Sequence, residues 1–251
     1  MLCNYSYLSA DVAFQKRALM ELFDDTGGRQ WKNKGNWNSN KPLSTWHGVA
    51  VDDSGNVVEL DLSDSKLTGR IPTCLGRLTE LTLLDLDNNM LTGPIPGLLG
   101  ELTNLTRLGL SDNQLTGPIP ASLGQLTNLT NLYLYSNKLT GPIPETLGLL
   151  INLSLLNLSG DQLSGPIPAT LGQLTNLTFL NLHGNKLTGP IPTWLGQLTN
   201  LTNLYLDCNQ FTGPIPAWLG QLTNLTDLNL NNNQLTGPIP PSLERFRFAR
   251  L

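Results

Sequence analysis

His183, Asp207 and Cys208 are the residues of this chain whose types and spacing come nearest to chemistry. A histidine and an acid 24 residues apart, with a cysteine next to the acid, are the parts of a thiol nucleophile site if the fold brings them within hydrogen-bonding reach. The sequence supplies no oxyanion donors and no closed pocket for them, so no catalytic residue is expected and the chain reads as a non-enzyme. A thiolate–imidazole metal centre would need a third and a fourth ligand, so neither a metal nor any other cofactor is expected. Asp61, Asp85 and Asp87 could hold a hard cation by oxygen ligation, but a solvated acidic face explains them more simply. A further column, Thr68, Thr92, Thr116, Thr140, Ser164, Thr188, Thr212 and Thr236, is a ladder of hydroxyls that could order water on ice.

What positions all of these residues is a unit of 24 residues. Starting at Val57, it recurs eight times without insertion or deletion and covers residues 57–248. A period of this length marks a solenoid, in which each unit buries its apolar face only by stacking on neighbours. Positions 1, 4, 6, 11, 15, 19 and 22 are apolar, for example Leu81, Leu84, Leu86, Leu91, Ile95, Leu99 and Leu102 in the second unit. Positions 3 to 7 alternate outward and inward, which is a strand with one buried face. Stacking then makes a parallel sheet at ~4.8 Å per unit. Position 9 is Asn89, Asn113, Asn137, Asn185, Asn209 and Asn233 in six units, Asp161 in the fifth and Ser65 in the first. A buried amide there would satisfy backbone groups as the chain leaves the strand. In the LTGPIP segment that follows, glycine permits a bend and the prolines rule out a fully paired strand, before a helical turn around LGQL.

The pattern LxxLxLxxNxLTGxIPxxLGxL resembles the plant-type leucine-rich repeat, over residues 57–246. The resemblance implies an α/β solenoid: a right-handed superhelix with a concave parallel β-sheet, short back-side strands and helical turns, serving as a recognition scaffold.

Residues 1–56 read as an N-terminal helical cap. An amphipathic helix is expected from Asp11, as N-cap, to Phe23, with Ala13, Ala18, Leu19, Leu22 and Phe23 inward. Gly27 and Gly28 would end it. Trp31, Trp37 and Trp46 would plug the open end of the stack, with a sugar-binding platform as the rival use. GVAVDDSGNVVELDL reads as a hairpin around Ser54 and Gly55. The block resembles the caps of leucine-rich-repeat proteins from algae, oomycetes and bacteria; secreted plant receptors are expected to carry cysteine where Val51 stands. At the other end, Leu243 and Phe246 keep the repeat's apolar positions. Arg245, Arg247 and Arg250 make the end polar, and residues 249–251 form a tail.

A net charge of −4 with 14% charged residues offers no basic face for nucleic acid, and no segment approaches the ~20 apolar residues of a membrane span. Cys3, Cys74 and Cys208 are odd in number and scattered. The opening MLCNYSYLSA lacks the basic and apolar regions of a signal peptide. These features lean towards a reducing, cytoplasmic compartment, with secretion if a signal has been removed. Asn104, Asn128, Asn152, Asn176, Asn200 and Asn224 each begin a glycosylation sequon, but at ~5 Å apart glycans on all of them would collide.

Recognition would be written where the units differ. Positions 3, 5 and 7 point out of the concave sheet, and position 8 flanks them. Glu59, Asp61, Asp64, Asp85, Asp87 and Asp112 surround Arg107, which favours a basic partner. Tyr133, Tyr135, Phe179, His183, Tyr205 and Asp207 follow, as aromatic and polar anchors. The expected function is therefore recognition of a protein or peptide on this face, by a whole protein or by the sensor part of a larger receptor or immune-type protein. Ice binding through the threonine ladder and glycan binding are the alternatives. Trp194 and Trp218, adjacent in the stack on its back, could mediate self-association.

Overall fold

The computed structural model describes residues 10–246. The apolar spacing of the units produces two sheets joined by helical turns. The inner strand of each unit, Val57–Asp61 in the first and Asp227–Asn229 in the eighth, joins its neighbours in strict sequence order. Leu84, Leu108, Leu132, Leu156, Leu180 and Leu204 stand in register across five parallel pairings, all fully buried. A second, eight-stranded sheet runs along the back from Thr68–Arg70 to Gln234–Thr236. Its strands are short because prolines follow the glycine at position 13. Each unit then closes through a 3₁₀ turn, such as Gly97–Glu101. This is the expected leucine-rich-repeat solenoid.

The position-9 side chains tie unit to unit. Asn137 Oδ1 accepts from Leu115 N at 3.0 Å, and its Nδ2 donates to Leu110 O at 3.0 Å and Leu134 O at 2.9 Å. The same bonds recur at Asn89, Asn113, Asn185 and Asn209. The sequon asparagines do a related job on the outside. Asn128 Nδ2 donates to Thr103 O and Asn200 Nδ2 to Thr175 O, each bridging to the preceding unit. A structural need therefore accounts for their recurrence.

In the cap, helix α1 spans Ala10–Asp25. It begins before Asp11, which is therefore not its N-cap, and it outruns Phe23 by two residues. Ala18, Leu19, Leu22 and Phe23 are buried as expected, but Ala13 is exposed; Val12 and Gln15 take the inward positions. The Gln15 amide satisfies the first repeat strand, accepting from Val57 N at 2.6 Å and donating to Asn56 Oδ1 at 3.1 Å. Hairpin strand β1 (Val49–Val51) pairs antiparallel with β2 (Val57–Asp61), making the cap continuous with the inner sheet.

Phe23, Trp31, Trp37 and Trp46 pack ring on ring at centroid distances of 4.8–5.2 Å along the series Phe23–Trp31–Trp37–Trp46. Each indole N–H donates to a backbone carbonyl, of Thr26, His47 and Lys41 respectively. The tryptophans are buried and hydrogen-bonded, so they plug the stack and offer no face to a sugar. Cys74 is sealed under α1, its thiol pushed up to about 12 by burial and then by the Glu21 charge. Cys3, Arg247, Arg250 and the tail lie outside the described residues. At the C-terminal end Leu243 and Phe246 are buried, and Arg245 donates to Leu222 O.

Trp194 and Trp218 lie half-buried against the core. Their rings cover Gly172 and Gly196 of the preceding units, where an added Cβ would meet them at 3.3 Å. The pair packs along the back, each ring against the preceding unit and each still part-exposed.

Candidate ligand-binding face

The inner strands alternate, so side chains at positions 3, 5 and 7 emerge together on the concave face. Three groups form there.

The first is built on Arg107. Its Nη2 lies 2.9 Å from Asp85 Oδ2 and 3.7 Å from Asp87 Oδ2, and the guanidinium stands 4.3 Å over the Tyr133 ring. Gly109 makes this possible. A Cβ there would come within 2.9 Å of both the Asp85 and the Asp87 carboxylate oxygens. Asp85 is buried and Asp87 half-buried, which corrects the expectation of a solvated acidic face. The Asp87 carboxyl is pushed up to about 6, by burial first and the Asp85 charge second, against the Ser111 N–H bond that favours its ionised form. Tyr135, half-buried beside Asp112, is raised by burial and then by the Asp112 and Asp87 charges. Asp61 and Asp64 remain exposed; the first accepts from Ser63 and the second pairs with Lys32 of the cap. Two acids, Asp85 and Asp87, thus face one arginine, and Asp112 stands beside Asp87 and Tyr135, leaving an excess of negative charge.

The second group is aromatic. Phe179 and Tyr205 meet edge to face at 5.7 Å, and the Tyr205 hydroxyl accepts from Asn203 Nδ2 at 3.0 Å. The face continues into a concavity of about 390 Å³ lined by Tyr205, Asp227, Asn229, Asn231, Arg245 and Phe246. The third group joins His183 and Asp207, Nδ1 to Oδ2, at 2.7 Å, with Cys208 alongside.

The fold therefore brings together Arg107 with Tyr133, Phe179 with Tyr205, and His183 with Asp207. It does not merge them: Tyr133 and Tyr205 are three units apart, ~14 Å at strand spacing. Sequence reasoning missed Gly109, although a glycine in a column otherwise filled by Asp, Tyr and Asn was a visible signal. It also missed the end concavity, which depends on how Arg245 and Phe246 fold back.

Family models described as leucine-rich repeat match residues 55–115, residues 103–145, and residues 152–174, 176–198, 200–222 and 224–246. Among solved structures, that of PEPR1–AtPEP1 is 34% identical over 92% of this chain and 34% of its own, with a TM-score of 0.83. The Arabidopsis receptor kinase HAESA ectodomain, in complex with an N-terminally extended IDA peptide hormone ligand, is 34% identical over 94% of this chain and 44% of its own, with a TM-score of 0.71. A plant ice-binding protein is 28% identical over 95% of this chain and 93% of its own, with a TM-score of 0.69. The chain spans less than half the length of the two receptors it matches. Likeness to an ectodomain gives no support to the expected cytoplasmic compartment. Among the described residues no helix is long and apolar enough to cross a membrane.

Proposed function

The chain belongs to the plant-type leucine-rich-repeat family, and from that premise we propose that it is a non-enzymatic scaffold that binds a basic peptide or protein segment along its concave face. The observation that carries this is the Arg107 group. Asp85, Asp87 and the Tyr133 ring hold a cation of the protein's own in place, and the exposed Asp112 beside Asp87 and Tyr135 adds acidic charge that it does not match. The half-buried Tyr133, Phe179 and Tyr205 supply rigid aromatic surface of the kind that anchors ligands. An ectodomain-like setting, outside the cell, fits this role better than the cytoplasm.

Selection from a displayed random peptide library tests the reading. Enriched peptides are expected to carry Lys or Arg, and Tyr133→Ala combined with Tyr205→Ala is expected to weaken them by more than ~2 kcal/mol, measured by calorimetry. Enrichment of neutral or acidic peptides, or unchanged affinity in the double variant, rejects it.

A second reading rests on a different observation. The ice-binding protein matches this chain over nearly the whole of both lengths, and Thr68, Thr92, Thr116, Thr140, Thr212 and Thr236 are exposed in one column on the back. Under it, the protein at high micromolar concentration would produce thermal hysteresis that a Thr116→Leu, Thr140→Leu variant loses. The recognition reading expects none.

A further inference from the structure

Every unit turns through a positive φ at position 8, where the residues are Asp64, Asn88, Asp112, Ser136, Gly160, Gly184, Cys208 and Asn232. Glycine, asparagine and aspartate tolerate that left-handed conformation; cysteine gains nothing from it. Cys208 adopts φ 55 with the rest of its column, as Ser136 does, so the repeat's own turn sets where its sulfur stands. Its sulfur accepts from Asn232 Nδ2 at 3.4 Å on one side. On the other side the column holds Gly184, which has no side chain to stand in the way. His183 and Asp207 occupy the adjoining column, and one donor atom each from His183, Asp207 and Cys208 lie within 4.8 Å of one another.

We propose that His183, Asp207 and Cys208 form a binding site for a borderline divalent cation, zinc foremost, on the concave face of the sixth and seventh units. Imidazole nitrogen, carboxylate oxygen and thiolate sulfur are the donors zinc takes, at ~2.0–2.3 Å, and three protein ligands leave a fourth tetrahedral position open. Ligands of one tetrahedral ion sit closer together than 4.8 Å, so modest side-chain rotation closes the triad. Calcium and magnesium, which demand several oxygens, do not fit this donor set. The supports are also present. Asp207 is buried and held, the His183 backbone N–H donates to Asn181 Oδ1 at 3.0 Å, and the Asn232 amide steadies the sulfur. The open position would look onto the sheet face that carries Tyr205. The site stands independently of the peptide-binding reading.

Cobalt(II) chloride, titrated into reduced protein carrying Cys3→Ser, tests this optically. The expected result is a thiolate-to-cobalt charge-transfer band that saturates at one ion per chain and is bleached by zinc. Cys208→Asn, which installs the residue that the eighth unit carries in the same column, should abolish the band while leaving the fold intact. His183→Ala and Asp207→Asn should each weaken cobalt by at least about tenfold, since even outer partners of a metal site are worth that much. No band in the Cys3→Ser protein overturns the proposal. So does a band that survives Cys208→Asn, and so does cobalt affinity indifferent to His183→Ala, which would mean thiol binding alone.

Discussion

Asn113→Ala should destabilise the fold by about 2–4 kcal/mol, whereas Asn233→Ala should cost under about 1 kcal/mol. Both asparagines make the same set of bonds. Asn113 Oδ1 accepts from Leu91 N at 2.9 Å, and its Nδ2 donates to Leu86 O at 2.9 Å and Ser111 O at 3.0 Å. Asn233 Oδ1 accepts from Phe211 N, and its Nδ2 donates to Leu206 O and Asn231 O. The difference is solvent. Asn113 is buried in the middle of the stack, so truncation strands the Leu91 N–H, which has no route to water. The Leu86 carbonyl is partly protected, because Asn89 Nδ2 also donates to it at 3.0 Å. A small cavity adds to the loss. Asn233 is half-exposed in the last unit, where water replaces the amide. Urea unfolding of the two variants, read by the cap tryptophans and by far-ultraviolet dichroism, decides the matter. Equal losses would show that the ladder is worth nothing beyond its surface bonds.

The ladder also shows which parts of the structure the sequence could disclose. A strict period puts every residue in a column, so the two sheets, the buried leucines and the asparagine bonds follow from spacing alone. The tryptophan plug was legible because three large rings near an open stack end have no better burial. What spacing does not contain is rotamer choice. Ala13 and Gln15 are two residues apart, about 200° round one helix, so the face set by Val12, Leu19 and Leu22 turns Gln15 inward and Ala13 outward; that the Gln15 amide then meets the Val57 N–H is what spacing does not give. Arg107 was readable as a lone cation among acids. Its seat over Tyr133 depends on the space left by Gly109, which stands in register between Asp85 and Tyr133 in a cluster three units wide. His183 and Asp207 were assigned to one column, but the period does not tell whether their side chains meet; the 2.7 Å contact does.

Asp161→Asn should stabilise the protein, by about 1–3 kcal/mol at pH 8 and by much less at pH 5. Asp161 stands in the ladder where its neighbours carry asparagine. Its Oδ1 performs the usual acceptance from Leu139 N at 2.7 Å, but Oδ2 is buried without a partner. In units four and six that second atom is an amide nitrogen donating to carbonyl oxygens. A carboxylate oxygen presented to the same environment has nothing to accept from, and burial pushes this carboxyl up to about 7 from 3.8. Once protonated, the O–H can donate where the amide would. The folded chain therefore binds more protons than the unfolded chain between about pH 4 and pH 7. Stability from this group is complete below the lower value and is lost as pH rises through the upper one, to a limit of about 4 kcal/mol by linkage. Asp87, raised to about 6, adds a loss of the same sign, so the wild-type profile alone does not isolate Asp161. The difference between variant and wild type does, because Asp87 is common to both. Melting temperatures at intervals from pH 5 to pH 8.5 should show that difference grow through neutrality and level off above it. A constant difference across the range would mean that the asparagine helps by packing alone and that the buried carboxyl is ionised throughout.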